Sequence, residues 1–338
     1  DWANKYLGPE SYAIIYKREG KDPNEQKIAA PKITPIVTNR DSQSEFLSEI
    51  QTSQVQPIEP VFVDYKKDMS QFEAQPGIDV LYKKNETNDI FTLIYVFNTG
   101  TENDPALNLA FNYLSYLGTD KMTAEEIASE MYDIACSFYM NAGANQSSIQ
   151  ITGLSENMGK AMEIVEGLIA GAKPDEAILE NCKADMLKSR ADAKLNQSRC
   201  FGALQRYLFY GGDFIRRTTL TDPALQALTS EQLLAKIGGL MGKQHEVLYY
   251  GPQKETEVKS ALAEHHKVAA DLQPLEKKFS TLLPTDANKV VLAQYDAKQL
   301  YYLQFSNRGE KFDVAADPEI TLYNEYFGGG MNTIVFQE

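Results

Sequence analysis

Acid–base and metal chemistry near neutral pH leans on imidazole, and this chain offers only His245, His265 and His266. His245-Glu246-Val-Leu-Tyr249 begins like the HExxH pattern of helical zinc sites but lacks its second imidazole. The segment also reads as a strand, which cannot present positions i and i+4 on one helical face, so no metal site is read there. Glu264-His265-His266 lies in a polar, helical stretch. Adjacent helical side chains diverge by about 100°, which keeps both rings from one ion, and a solvated helix surface is expected. Glu125, Glu126, Glu130 and Asp133 crowd one helix. Catalytic carboxylate pairs need burial to split their pKa values, whereas this face should be wet. Cys136, Cys182 and Cys200 are odd in number and lack CxxC spacing, as expected of buried or half-buried thiols and not of a disulfide framework. No GxSxG elbow occurs, and Gly238-Gly-Leu-Met-Gly242-Lys243 lacks Walker spacing. Gly328, Gly329 and Gly330 follow a helix pattern instead of opening one, which suits a helix stop and leaves them as weak substrate-binding candidates. The residues thus define no catalytic centre within the chain.

The elements that would position such residues can be read from periodicity. Val80 and Tyr82 alternate with polar neighbours, and Ile90 to Phe97 is an unbroken apolar run of central-strand type. Asp104-Pro105 predicts a capped helix to about Leu117. Thr123-x-x-Glu126 opens a second helix as a capping box. Phe138, Met140 and Ala142, then Ile149 and Ile151, read as a strand pair. Met158, Ala161, Met162, Val165, Leu168 and Ile169 form an amphipathic stripe. A long charged helix runs from about Asp175 to Asn196, and Glu246 to Tyr250 is a last strand before Gly251-Pro252. Strands cluster instead of alternating with helices, so the fold class is α+β: a mostly antiparallel sheet with helices on one face.

The chain has 338 residues, room for about two domains, and its 33 Lys+Arg against 47 Asp+Glu give a net charge of −14. That surface would repel nucleic acid and anionic membranes. No apolar stretch approaches the roughly 20 residues that span a bilayer, and neither end shows a charged-then-apolar targeting segment. Pro23, Pro31, Pro35, Pro57 and Pro60 mark a polar segment with no helical period, read as an extended linker. Further on, the sequence starts over. Val290-Val-Leu and Tyr301 to Phe305 read as strands, and Asp317-Pro, Leu322 and Tyr326 repeat Asp104-Pro, Leu109 and Tyr113 at an offset of 213 residues. Tyr12 to Lys17, closed by Gly20, likewise echoes Glu246 to Gly251 as a strand. The period is too long for a solenoid and points to tandem copies of one domain.

The stretch from Asn98 to Ile169 resembles the core domain of the M16 (pitrilysin- and insulysin-like) zinc metallopeptidases. Their active domain carries HxxEH on a helix, then Gly-Thr, a second helix and a strand pair. Here Leu117-Gly118-Thr119 matches the Gly-Thr, and Ala144-Asn145 sits in the strand-pair turn. Counting back, the motif positions hold Leu109, Asn112 and Tyr113: a hydrocarbon and a phenol replace the histidine ligands, and an amide replaces the glutamate base. The resemblance is therefore to the domain opening the non-catalytic half. It implies an M16 (LuxS/MPP-like metallohydrolase-type) fold divided as 1–20, tail of a preceding domain; 21–60, inter-half linker; 61–275, a complete inactive domain; and 276–338, the start of a further, truncated one. The family's substrate-holding Arg and Tyr would lie past Glu338. It further implies no cofactor in this fragment, zinc in a catalytic M16 half of the same or a separate chain, and a peptide substrate. A cytoplasmic or periplasmic soluble location is equally compatible. Two rivals stand beside this reading: a non-enzymatic, partner-binding scaffold of M16-like fold, and an unrelated hydrolase using Glu130 and Asp133.

Overall fold

The computed structural model describes residues 2–9, 11–21, 26, 28–34, 42–275, 280–307, 309, 312–331 and 333–337. The chain divides into two units, Asp1–Val61 and Phe62–Glu338. The first holds helices α1 (Trp2–Tyr6) and α2 (Glu45–Thr52). Sequence reading placed a strand at Tyr12 to Lys17. The structure has none there, and Ile14, Ile15 and Tyr16 are exposed. Strand-forming residues need a neighbouring strand to satisfy their backbone, and this segment has none among the described residues. Helix α2 was also unexpected in the proline-marked segment. Ser44 caps it, accepting from the Leu47 amide at 3.2 Å, and Phe46, Leu47 and Ile50 supply its apolar positions. Pro31, Pro57 and Pro60 lie in irregular backbone, while Pro23 and Pro35 fall outside the described residues.

The second unit is built on six strands: β1 (Ser70–Gln75), β2 (Ile78–Lys84), β3 (Ile90–Phe97), β4 (Cys136–Ala142), β5 (Ser147–Leu154) and β6 (His245–Gly251). They run in the order β1-β2-β6-β3-β5-β4. Only β2 and β6 pair parallel; the other pairs are antiparallel. The central strand shows why the sheet has a covered and an open side. Phe91, Leu93, Tyr95 and Phe97 are buried, while the intervening Thr92, Ile94 and Val96 are half-buried. Both faces are apolar in sequence, so no alternation could be read there, yet only one is covered.

Helices α3 (Leu107–Leu114) and α4 (Ala124–Asp133) lie between β3 and β4, α5 (Met158–Gly171), α6 (Glu176–Lys194), α7 (Gln197–Thr218), α8 (Asp222–Ala227) and α9 (Ser230–Met241) between β5 and β6, and α10 (Glu255–His265) after β6. Core side chains come from α3, from Ala161, Met162, Val165 and Leu168 of α5, and from Leu233 and Ile237 of α9. The capping box of α4 forms as expected: Glu126 accepts from the Thr123 amide at 2.8 Å, and the Glu126 amide donates back at 3.2 Å. Asp104 does not cap α3. Its Oδ1 accepts from the Ala106 amide at 3.0 Å in a turn before the helix, and its other oxygen takes the Lys236 ammonium at 2.5 Å. Helix α7 breaks at Gly211, whose φ of 80° is open to glycine at little cost.

Beyond residue 280 the expected strands at 290–292 and 301–305 are absent. Val290 and Leu292 are exposed, and Tyr301 and Phe305 pack on Phe201 and Phe209 of α7 instead. The helix expected after them is present as α11 (Asp317–Phe327), followed by α12 (Ile334–Gln337).

Candidate functional site

Helix α3 carries the three positions singled out in the sequence, and its packing decides their chemistry. Leu109 and Tyr113 face the core, at 1% and 0% exposure, while Asn112 between them is exposed. The Tyr113 hydroxyl donates to Ser230 Oγ at 2.8 Å and accepts from the Asp175 amide at 2.7 Å. It thereby ties α3 to the N-termini of α6 and α9. Ser230 is held from the other side, its amide donating to Glu176 Oε1 at 3.1 Å. A hydrocarbon in the core and a phenol with its hydrogen bonds already committed cannot ligate a cation. Zinc therefore does not fit this turn, and among the described residues no group of three or more His, Cys, Asp and Glu could hold a metal ion.

The neighbouring signals are structural as well. Thr119 Oγ1 accepts from the amides of Lys121 and Met122 at 3.1 and 3.2 Å, shaping the turn between α3 and α4. The loop after β3 is sewn to the β4–β5 turn: the Thr101 amide donates to Gly143 O at 2.8 Å and the Glu102 amide to Ala144 O at 2.9 Å. Glu130 and Asp133 are exposed on α4, without the burial that a catalytic carboxylate pair requires. Gly328 ends α11, its amide donating to Asn324 O at 2.9 Å.

The thiols make a direct check of this packing. Cys136 and Cys182 are buried and Cys200 is half-buried. Burial pushes the Cys136 thiol up; burial and then the charge of Asp185 do the same for Cys182. Only Cys200 is expected to react promptly with a disulfide reagent at pH 8. Cys136 and Cys182 should react only on unfolding, so three equally fast thiols in the native protein would contradict the packing.

One cluster was misread in the sequence. His266 was expected on a solvated helix surface but is 5% exposed, and His245 is 4% exposed. His266 ends α10 and turns inward, where its Nδ1 lies 2.5 Å from Glu166 Oε1 of α5 and its Nε2 lies 2.8 Å from His245 Nε2. His245 Nδ1 is 2.8 Å from Lys243 O. The reading failed because Glu166 is 100 residues away in sequence; the one available signal was its place beside Val165 on a core-facing helix. Burial is the main force pulling the His245 pKa down to about 4. The Tyr95 ring lies 4.2 Å from that of His266, tilted by 33°, and its buried hydroxyl has no hydrogen-bond partner among the described residues.

The remaining surface of interest is the open side of the sheet. Ile94, Val96 and Leu248 line a shallow groove with Asn141, Gln146 and Ser148. At one end Gln146 donates to Asn98 at 2.9 Å and Asn98 to Glu246 at 3.1 Å. Strands β1 and β4 are the outer strands of the sheet. No helix among the described residues is long and apolar enough to cross a membrane.

No family model matches the sequence, and no curated protein matches it. Solved structures do. The peptidase M16 inactive domain from Pseudomonas fluorescens is 16% identical with a TM-score of 0.54, covering 62% of this chain and 52% of its own. The periplasmic protease PqqL from Escherichia coli is 14% identical with a TM-score of 0.53, covering 75% of this chain and 28% of its own. A protease from Helicobacter pylori is 13% identical with a TM-score of 0.51, covering 64% of this chain and 55% of its own. This chain thus has the α+β fold of M16 peptidase domains. It spans about half the length of the Pseudomonas and Helicobacter chains and less of PqqL.

Proposed function

We propose that this chain is the non-catalytic half of an M16-type zinc metallopeptidase, enclosing and positioning a peptide opposite a separate half that bears the zinc. The observation that carries this reading is α3. In an M16 fold its two ligand positions are a core leucine and a core tyrosine, whose phenol is engaged by Asp175 and Ser230. Such a half contributes by excluding water and holding the peptide in register, both of which raise rate without touching the metal. The half-buried apolar side of the sheet and the outer strand β4, with Tyr139 exposed on it, suit an extended peptide added at the edge.

The internal repeat supports the same reading. Leu322 and Tyr326 stand in α11 where Leu109 and Tyr113 stand in α3, but they are 72% and 67% exposed. In α3 those positions are covered by the fold; in α11 nothing among the described residues covers them. We take residues 61–275 as one complete inactive domain, 276–338 as the opening of another, 1–20 as the tail of a third and 21–60 as the linker.

The test is cleavage of a fluorogenic peptide library by the purified chain, alone and mixed with an HxxEH-bearing M16 half from the same genome. No cleavage is expected alone, with or without added zinc, and at least a tenfold gain is expected when the chain joins that half. Chelator-sensitive cleavage by the chain alone would overturn the proposal. Co-purification with no gain in cleavage would favour the scaffold.

A further inference from the structure

We infer that Glu166, His266 and His245 form an acid-releasable latch that fastens the segment 266–275 to the start of β6. The segment leaves α10 at His266 and runs back along the sheet. Gln75 Nε2 donates to Ala269 O at 3.2 Å. The Gln273 amide donates to Gly242 O at 3.0 Å, and the Gln244 amide to Gln273 O at 2.8 Å. Leu272 is its one buried apolar anchor. Its first residue is the imidazole that joins α5 to β6.

Proton bookkeeping shows why this joint is conditional. Three hydrogen bonds run in series: Lys243 O to His245 Nδ1, His245 Nε2 to His266 Nε2, and His266 Nδ1 to Glu166 Oε1. A carbonyl only accepts, so His245 Nδ1 holds a proton. Each of the other two links needs one proton between its heavy atoms. The chain therefore holds three protons, and neither imidazole can take a fourth without losing a hydrogen bond. A fourth on an imidazole would set two N–H groups head to head across 2.8 Å and force the rings apart.

The groups facing His245 are few. His266 comes from the end of α10 and Glu166 from α5, while β3 supplies the rings of Tyr95 and Phe97 and no charge. Lys243 contributes its carbonyl. His265 points elsewhere, lying 4.0 Å from Glu264. Desolvation is thus the main force against the fourth proton, with the charge of His266 acting in the same direction.

The sign follows from linkage. Folded His245 titrates at about 4 against 6.5 when unfolded. Its neutral form therefore favours the latched state fully above pH 6.5, and that preference is lost as pH falls from 6.5 to 4. The loss approaches tenfold per pH unit between those values.

Hydrogen exchange of the intact chain from pH 7.5 to 4.5, corrected for intrinsic rates, tests the latch. Protection of the His266 and Gln273 amides is expected to fall steeply below pH 6.5 while that of β3 persists. In His245→Asn the dependence should flatten. Simultaneous loss in β3 and in the segment, or an unchanged profile in His245→Asn, would overturn the inference. Should that variant not fold, NMR titration of the three wild-type histidines decides. One buried ring staying neutral to about pH 4 sustains the latch, and both buried rings titrating near 6.5 ends it.

Discussion

Placing an HxxEH set on α3, as Leu109→His, Asn112→Glu and Tyr113→His together, is expected to unfold the chain and not to create a zinc site. Leu109 and Tyr113 are 1% and 0% exposed. An imidazole at position 109 would be buried without a hydrogen-bond partner, at a cost of about 1–3 kcal/mol beyond the lost apolar contacts. An imidazole at 113 is too short to replace the phenol, leaving the Asp175 amide and Ser230 hydroxyl unpaired at the junction of three helices. The two changes together remove about 5 kcal/mol, comparable to the whole stability of many domains. The single variants partition the effect. Tyr113→Phe keeps the ring and loses the hydroxyl, for about 1–3 kcal/mol, whereas Asn112→Glu on the exposed face should change stability by less than about 0.5 kcal/mol. Urea denaturation of the three variants, with zinc titrated into any that fold, gives the answer. A folded triple variant that binds zinc tightly would mean the α3 face is preorganised for metal after all.

The second large effect is expected at Gly100, in the loop between β3 and α3. A Cβ there would come closer than 3.0 Å to the carbonyl oxygens of Gly143 and Ala144. These are backbone atoms already held by Thr101 and Glu102 at 2.8 and 2.9 Å, so the turn cannot retreat without breaking the bonds that place it. Gly100→Ala should therefore lose about 3 kcal/mol, the upper end of overpacking costs. Gly167→Ala is the matched control: Gly167 lies inside α5, and a Cβ there meets nothing within 4 Å. That change should stabilise by about 0.5–1 kcal/mol through helix propensity and unfolded-state entropy. Thermal melts of the pair read both signs at once. Equal melting temperatures would show that the loop and the β4–β5 turn are not in the close contact described.

What could be read from the sequence follows from the range of the interactions. The Thr123–Glu126 capping box, the stripe of α5 and the β4–β5 pair depend on residues a few positions apart, and each formed where its pattern predicted. That α3 carries Leu109, Asn112 and Tyr113 and no histidine was legible for the same reason, since it is a local feature of the sequence. Local pattern also misled. Tyr12 to Lys17 and Tyr301 to Phe305 have strand chemistry, but a strand exists only where another strand accepts its hydrogen bonds.

The amino-acid sequence by itself determined the α+β class, the capped and striped helices α4 and α5 and the absence of histidines on α3, because propensity, capping and motif identity act over one or two turns of chain. Only the tertiary structure decided that β6 inserts between β2 and β3, that Tyr113 bonds partners 62 and 117 residues away, and that His266 turns inward to Glu166. Those choices come from burying apolar area and pairing the polar groups carried in with it. That balance is struck among segments far apart in sequence, where no local pattern records it.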